Sequence, residues 1–194
     1  MTTAATLSLH DSNTLSLLFD PESSPSSTTG TISPSLPPDP HYPSAVLPLL
    51  QTLERQAISL AEASPAEALT ILSSLITTYP QYASAYNNRA QLLRILSHSS
   101  TEITADLRTA ITLARPARSI DAVSPLQAKV LSNSYTQLGA VLLSEGREEE
   151  AGEVFQAGAR YGGEVAKMMA VKFNPVARLC GAIVKEAMRK EMAG

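Results

Sequence analysis

The clearest pattern in the sequence is a series of segments in which apolar residues recur every three or four positions, the spacing of one helical face. The first segment begins near residue 48, and the segments end at prolines, glycines or serine clusters. Such residues interrupt helical hydrogen bonding or favour turns, so they indicate where one helix stops and the next begins. The pattern predicts helices at residues 48–63, 65–79, 83–96, 100–114, 125–144, 148–161, 164–171 and 175–191.

Two of these helices follow complete start signals. Ser64 precedes Pro65, and Glu67 stands at the third helical position. Proline is tolerated at the first position, where its missing N–H would have no partner, and the serine and glutamate form the pattern of a capping box. Ser99 and Glu102 have the same spacing before the helix at 100–114. Both positions are therefore predicted to be capped by side chains.

The helices form pairs that repeat. In the first helix of each pair a small residue is followed three positions later by leucine, and in the second helix two apolar residues are four positions apart. The first-helix matches are Ala57 with Leu60, Ala90 with Leu93, and Gly139 with Leu142. The second-helix matches are Ala68 with Leu72, Ile103 with Leu107, and Ala151 with Phe155. A small residue lets two helices approach closely, and each pair leaves an apolar face that the next pair can cover. The alternative is a generic helical bundle with coincident spacing.

Two segments, Tyr-Asn-Asn-Arg-Ala-Gln at 86–91 and Ala-Asp-Leu-Arg-Thr-Ala-Ile-Thr-Leu at 105–113, resemble a tetratricopeptide repeat. The first two small residues are 33 positions apart (57 to 90), close to the roughly 34-residue period of that repeat. The turn at 146–151, the stretch at 173–180 and Leu-Leu-Phe-Asp-Pro at 17–21 are similar to the tetratricopeptide repeat protein 36 family. Ile103 departs from the pattern, because a small residue is usual there.

We therefore predict an all-α fold, a short right-handed solenoid of three helix-turn-helix repeats with C-terminal capping helices and a disordered N-terminal tail. The tail is residues 1–43 and the repeat domain residues 44–192. Seven prolines make a packed core improbable in the tail: those at 21, 25, 34, 37, 38, 40 and 43. A short helical island is predicted at 10–20, and we expect its apolar side chains to dock on the solenoid, in or beside its groove. The repeats are predicted at about 48–80, 83–115 and 125–162, and the capping helices at about 164–191.

Charge is unevenly distributed along the chain. Residues 1–54 contain five acidic residues and no lysine or arginine, which leaves 15 basic and 13 acidic residues for the remainder. The C-terminal basic residues are scattered and lack interleaved aromatics, so a nucleic-acid surface is not predicted. No apolar run reaches the roughly 18 residues that would span a bilayer, and no membrane partner is predicted. A single cysteine, Cys180, fits a reducing compartment, and we expect the cytoplasm, with or without the nucleus.

The first helices of the pairs are expected to line a concave face. By helical phase, polar residues occupy this face, and Asn and Gln amides can donate and accept hydrogen bonds with the backbone of an extended peptide. The predicted partner-binding residues are Arg55, Asn87, Asn88, Gln91, Arg94, Asn133 and Gln137. The alternative is a polar, solvated face without a ligand.

The resemblance also bears on possible partners. In repeats that hold the acidic tails of chaperones, a carboxylate clamp is formed by Lys and Asn on the first inner helix, Asn on the second, and Lys and Arg on the third. Asn88 matches the second-helix Asn, but Glu54 and Ile58 occupy the first-helix positions, and neutral amides the third. A complete clamp is therefore not predicted, although a chaperone that binds by another route stays among the candidate partners. The resembled family further implies Hsp70 association or a role in tyrosine metabolism.

No pattern in the sequence favours catalysis. Histidine occurs at 10, 41 and 98, without the spacing of a metal site, and Cys180 has no nearby histidine to activate it. No cofactor, metal or catalytic residue is predicted. We interpret the protein as a non-enzymatic adaptor or co-chaperone-like module that binds a protein or an extended peptide, and expect a monomer. The alternative is an assembly protein that oligomerises through the solenoid edge or the C-terminal helix, which size-exclusion chromatography with light scattering distinguishes.

Overall fold

A computed structural model describes residues 31–174, together with Leu179, Ile183, Met188 and Arg189. Seven α-helices lie in residues 31–174: α1 Leu47–Leu60, α2 Pro65–Thr78, α3 Ala83–Ile95, α4 Ser100–Ala114, α5 Pro125–Ser144, α6 Glu148–Ala159 and α7 Glu164–Phe173. Extended backbone pairs only at an isolated bridge between Ile32 and Val123 within this part of the chain. The predicted all-α fold is confirmed, and each helix boundary lies within three residues of its prediction.

The helices are arranged as stacked hairpins. α1 packs on α2, α3 on α4, and α5 on α6, and the second helix of each hairpin also contacts the first helix of the next. α7 packs on α6 and reaches α5, so it covers the end of the stack. The predicted small residues lie at the crossings: Ala57 and Ala90 are fully buried, and a Cβ on Gly139 would lie 2.6 Å from the Phe155 ring.

The core follows the stack instead of forming one central cluster. Its largest part lies among α3, α4, α5 and α6, around Leu107, Leu131 and Phe155. A second part, around Leu50 and Tyr82, joins the start of α1 to α2 and α3. A third part includes residues from the C-terminal halves of α1 and α3. Each buried leucine side chain contributes about 1.5–3 kcal/mol, so every hairpin depends on its neighbour for stability.

The starts of the helices differ in how their side chains cap them. Ser124 forms a full capping box, in which its Oγ accepts from the Gln127 N–H at 3.1 Å and the Gln127 Oε1 accepts from the Ser124 N–H at 2.9 Å. Ser99 Oγ accepts from the Glu102 N–H at 3.3 Å. The capping prediction at Ser64 is wrong, since its side chain makes no such bond. Its ψ is 66°, whereas Ser99 and Ser124 have the extended values of 142° and 161° from which a side chain can reach the first turn.

Residues 31–43, which we call the strap, differ from their predicted place in an unpacked tail. At its start the strap runs beside Val123, two residues before α5: the Ser33 N–H donates to the Val123 carbonyl, and the Val123 N–H donates to the Thr31 carbonyl, both at 2.9 Å. Further along, Ser124 Oγ donates to the Pro38 carbonyl at 2.6 Å. The strap therefore packs on the third repeat although it contains no helix.

At its other end the strap reaches the first two repeats. Asp39 is buried, and its Oδ1 accepts from the backbone N–H groups of His41 and Tyr42 at 2.8 and 3.0 Å. The turn that these bonds form places the Tyr42 ring edge-on against Tyr79, with ring centroids 5.7 Å apart. Proline removes hydrogen-bond donors but not acceptors, so a proline-rich segment can still pack through carbonyls and a short polar turn.

Two other predictions fall largely outside the described residues. The N-terminal island at 10–20 lies wholly outside them. Of the last predicted helix only Leu179, Ile183, Met188 and Arg189 are described, all in helical conformation and all exposed. Within the described ranges, no helix combines the length and apolar character needed to cross a bilayer.

Candidate functional site

The first helices of the hairpins, α1, α3 and α5, form the face that is concave in repeat solenoids, and a buried carboxylate joins the first two of them. Glu54 of α1 is 8% exposed, and its Oε2 accepts from the Tyr82 hydroxyl at 2.9 Å. Its Oε1 accepts from the Ser84 hydroxyl and the Asn88 side-chain amide. Three donors from the start of α3 therefore surround one carboxylate, which fixes the position of α3 on α1.

Tyr82 should make the stability of the protein depend on pH. Burial raises the pKa of the Tyr82 phenol above its ordinary value of 10.0, and the adjacent Glu54 carboxylate raises it further. The folded protein therefore retains this proton more strongly than the unfolded chain, so the stabilisation is complete below pH 10 and is lost as the pH rises above it. The loss is at most about 1.4 kcal/mol per pH unit.

Guanidinium unfolding at pH 9, 10 and 11 measures this decline. We expect Tyr82→Phe to show a shallower decrease in unfolding free energy than the wild type over this range, because phenylalanine has no proton to lose. Tyr42→Phe is the matched control, since it removes a tyrosine hydroxyl from the residue that packs against the Tyr82 ring. Equal pH dependence in the wild type and Tyr82→Phe would show that the Tyr82 proton makes no difference to stability.

A second polar contact joins α3 to α5. Asn87 is 4% exposed, and its Oδ1 accepts from the Ser134 hydroxyl at 3.0 Å and from the Gln137 amide at 2.9 Å. Its Nδ2 donates to the Asn88 Oδ1 at 3.2 Å. The Gln137 Oε1 is buried and has no hydrogen-bond partner among the described residues. Asn87 was expected to face a ligand in the groove, but the structure places it between two repeats.

An apolar pocket of about 100 Å³ opens on the concave face between α1 and α3. Its buried lining residues are Ala57, Leu72 and Leu92. On either side stand Ile58 of α1 and Ile95 of α3, which are 54% and 60% exposed. The pocket is also lined by Ala61, Asn88 and Gln91. Two large aliphatic side chains thus remain in water beside a concave apolar surface, which is the composition of a binding site.

The predicted site residues therefore fall into two groups. Asn87, Asn88 and Gln137 are hydrogen-bonded to protein groups across the repeat boundaries. Arg55, Gln91, Arg94 and Asn133 are exposed, and the Arg55 guanidinium bonds within its own helix, to Gln51 and Thr52. Only Asn88 and Gln91 of the seven line the apolar pocket.

Helical phase placed Ile58 on the concave face, but neither Ile58 nor Ile95 was among the predicted partner-binding residues. Both are β-branched apolar residues on the first helices of their pairs, where a solvated concave face would have polar side chains. An apolar residue at a position where a polar one is expected was the sequence signal that could have identified them. It could not be interpreted from the sequence, because an isoleucine at such a position is equally compatible with burial in the core.

The described residues offer no arrangement of metal ligands. No group of three or more His, Cys, Asp or Glu side chains converges within residues 31–174. The His41 Nε2 lies 3.1 Å from the Leu113 carbonyl, and the His98 Nδ1 lies 3.5 Å from the Glu102 Oε2. Both histidines thus have structural contacts at the edges of α4.

Stacked helical hairpins with small residues at their crossings and a concave face of first helices define a tetratricopeptide repeat protein. No protein-family model matches the chain. Tetratricopeptide repeat protein 36 of Xenopus tropicalis is 35% identical over 78% of this chain and 70% of its own length. The protein of that name from Danio rerio is 32% identical over 94% of each chain. The chain belongs to the tetratricopeptide repeat protein 36 family.

A further relative has a different name. The L-tyrosine degradation gene cluster protein hmgX of Aspergillus fumigatus is 35% identical to this chain, over 97% of this chain and 94% of its own length. The similarity thus extends over nearly all of both proteins.

Proposed function

We propose that this protein is a non-enzymatic interaction module that binds an extended segment of a protein partner on its concave face. The observation that supports the proposal is the pocket between α1 and α3, where Ile58 and Ile95 remain exposed beside an apolar floor. Covering two such side chains gains hydrophobic free energy, and a solvated face has no use for them. The assignment to this family agrees with a role in binding, because repeat solenoids offer extended concave surfaces to partners.

The pocket suggests how a segment is held. One aliphatic side chain enters the pocket, and the exposed Gln91 amide pairs with the segment's backbone, since it supplies both a donor and an acceptor. The Asn88 amide donates one N–H to Glu54, so a negative charge already stands beside the one clamp residue that the chain contains. Recognition is therefore by an apolar anchor, and the acidic tail of a chaperone would have to bind without a carboxylate clamp.

The partner we propose is a protein that acts in L-tyrosine degradation. Support comes from the name of the Aspergillus fumigatus relative, which matches over almost the full length of both chains. An Hsp70 chaperone, implied by the family resemblance, is the other partner to be tested. The proposal includes a location in the cytoplasm, with or without the nucleus.

Isothermal titration calorimetry tests both parts of the proposal. Each enzyme of L-tyrosine degradation from the same organism, and its Hsp70, is purified and titrated separately into the full-length protein. For the partner that binds, we expect Ile95→Ala to weaken the affinity about tenfold or more, because an aliphatic contact of about 1.5–3 kcal/mol is lost. Ile120→Ala is the matched control, since Ile120 is 78% exposed in the loop before α5.

The outcomes of the titrations test the identity of the partner and the location of the binding surface separately. Absence of binding to every enzyme and to Hsp70 contradicts the proposed partners. Equal weakening by Ile95→Ala and Ile120→Ala contradicts the concave pocket as the binding surface. Circular dichroism melting of both variants shows whether the fold is unchanged, which is expected because both side chains are more than half exposed.

A further inference from the structure

We infer that the pocket between α1 and α3 is occupied by the chain's own residues 15–19 when no partner is bound. These residues read Leu-Ser-Leu-Leu-Phe, the densest apolar run in residues 1–30. The inference rests on the proposed function only in using the same pocket, and it is tested without any partner present.

The size and chemistry of the pocket suit such an occupant. Its volume is about 100 Å³, and its floor of Ala57, Leu72 and Leu92 is apolar. A cavity of about 150 Å³ with aliphatic walls accommodates benzene, so this smaller pocket suits one branched aliphatic side chain. Further apolar side chains of the segment can then cover Ile58 and Ile95, which stand on the two sides of the pocket.

The connecting chain is long enough to reach the pocket. The strap begins beside Val123, which is 11 positions before Ser134 in the sequence. The Ser134 hydroxyl bonds to Asn87, so these two residues lie at the same height along the groove, just before the pocket. Since α3 and α5 are the first helices of successive hairpins, this corresponds to about 20 Å along the groove and one or two helix widths of about 8–10 Å across it, or about 22–28 Å in a straight line.

Residues 20–30 have to span that distance. Eleven residues extend to about 36 Å when stretched, and a flexible linker of that length has a root-mean-square span of about 17–20 Å. The segment therefore reaches the pocket without being fully extended. Because it is tethered, its effective concentration at the pocket is in the millimolar range, so a weak contact is sufficient for occupancy.

Charge also favours the concave face. Residues 1–30 contain Asp11, Asp20 and Glu22 and no lysine or arginine, and Asp20 directly follows the apolar run. The exposed Arg55 and Arg94 lie on the two helices that form the pocket. Each exposed pair adds less than about 1 kcal/mol, so charge assists the placement and does not determine it.

A competing surface lies on the outer side of the first hairpin. A hollow of about 450 Å³ between α1 and α2 is lined by Leu53, Ile71, Leu75 and Tyr79 among others. It lies between the two helices of the first hairpin, at the far end of the stack from Val123, so a tether of the same length spans it less readily. The observations thus favour the pocket between α1 and α3.

Methyl NMR of the full-length protein tests the inference. Isoleucine δ1 methyl signals are compared between the wild type and the double variant Leu18→Ser, Phe19→Ser. We expect the Ile58 and Ile95 signals to shift, because the pocket loses its occupant, and the Ile71 signal to stay in place. The double variant Leu7→Ser, Leu9→Ser replaces two apolar side chains by serine outside the proposed segment, and we expect no shift from it.

The other outcomes overturn the inference. A shift at Ile71 alone places the segment on the outer hollow, and unchanged signals in both double variants show that it does not dock on either surface. Equal shifts from the two double variants show that residues 15–19 do not occupy the pocket in preference to the residues around Leu7 and Leu9. Buried Ile111 of α4 reports whether each variant is folded. Since no partner is present, failure here leaves the calorimetric test of the proposed function unaffected.

Discussion

Ala90→Glu is expected to unfold the second repeat, with a loss of roughly 3–5 kcal/mol in unfolding free energy. Ala90 is fully buried where α3 crosses α4, in the cluster that contains Leu93 and Leu107. A carboxylate placed there loses its hydration and finds no cation, and burial of an unpaired charge is strongly unfavourable. Because a domain of this size is stable by only about 5–15 kcal/mol, such a loss removes a large part of the total.

Thermal unfolding followed by circular dichroism measures this effect. Gln91→Glu is the matched control, because it adds the same charge at the next residue, which is exposed on the concave face. We expect its melting temperature to stay close to that of the wild type. A melting temperature that Ala90→Glu leaves unchanged would contradict the helical phase on which the repeat assignment depends.

Gly139→Val is expected to have the second-largest effect, a loss of about 1–3 kcal/mol or more from overpacking. A Cβ on Gly139 would lie 2.6 Å from two ring carbons of Phe155, and Phe155 is itself almost fully buried. The ring cannot move outward without displacing α6 from α5. Valine has a slightly better helix propensity than glycine, but this gain of a few tenths of a kcal/mol is smaller than the expected loss from overpacking.

A double-mutant cycle in guanidinium tests this explanation. Phe155→Leu removes ring atoms opposite Gly139, so we expect Gly139→Val to be less destabilising in that background than in the wild type. Ala140→Val is the control, since Ala140 is the neighbouring residue of α5 and is only half-buried. If the two substitutions are simply additive, the contact between Gly139 and Phe155 is not what requires glycine.

The strap shows a limit of reasoning from composition. Prolines and serines at residues 31–43 predicted an unpacked tail, and for most sequences of that kind the prediction would be sound. Here Pro38 is an acceptor for Ser124, and Asp39 closes a turn that positions Tyr42. The first contact joins groups far apart in the sequence, and the second depends on a turn. Neither produces a periodic pattern of apolar residues.

The candidate site shows a second limit. Helical phase placed Asn87 and Asn88 on the concave face of α3, but it could not separate a residue that faces solvent from one that faces α5 or α1. Glu54, which helical phase also placed in the groove, is buried against Tyr82. Whether the four exposed predicted residues bind a partner stays a prediction.

The sequence by itself determined the helices, their order and the repeat. Helix limits depend on local interactions, such as the Ser124-Pro125 start and the Gly146 turn that enclose α5, and the sequence contains these in full. Only the tertiary structure decided which polar side chains are buried between the repeats, where the strap lies, and that an apolar pocket opens beside Ile58 and Ile95. The physical reason is that these features depend on how closely and at what angle α1, α3 and α5 approach one another. Small changes in that packing move a side chain from water to an interface, and no periodicity records them.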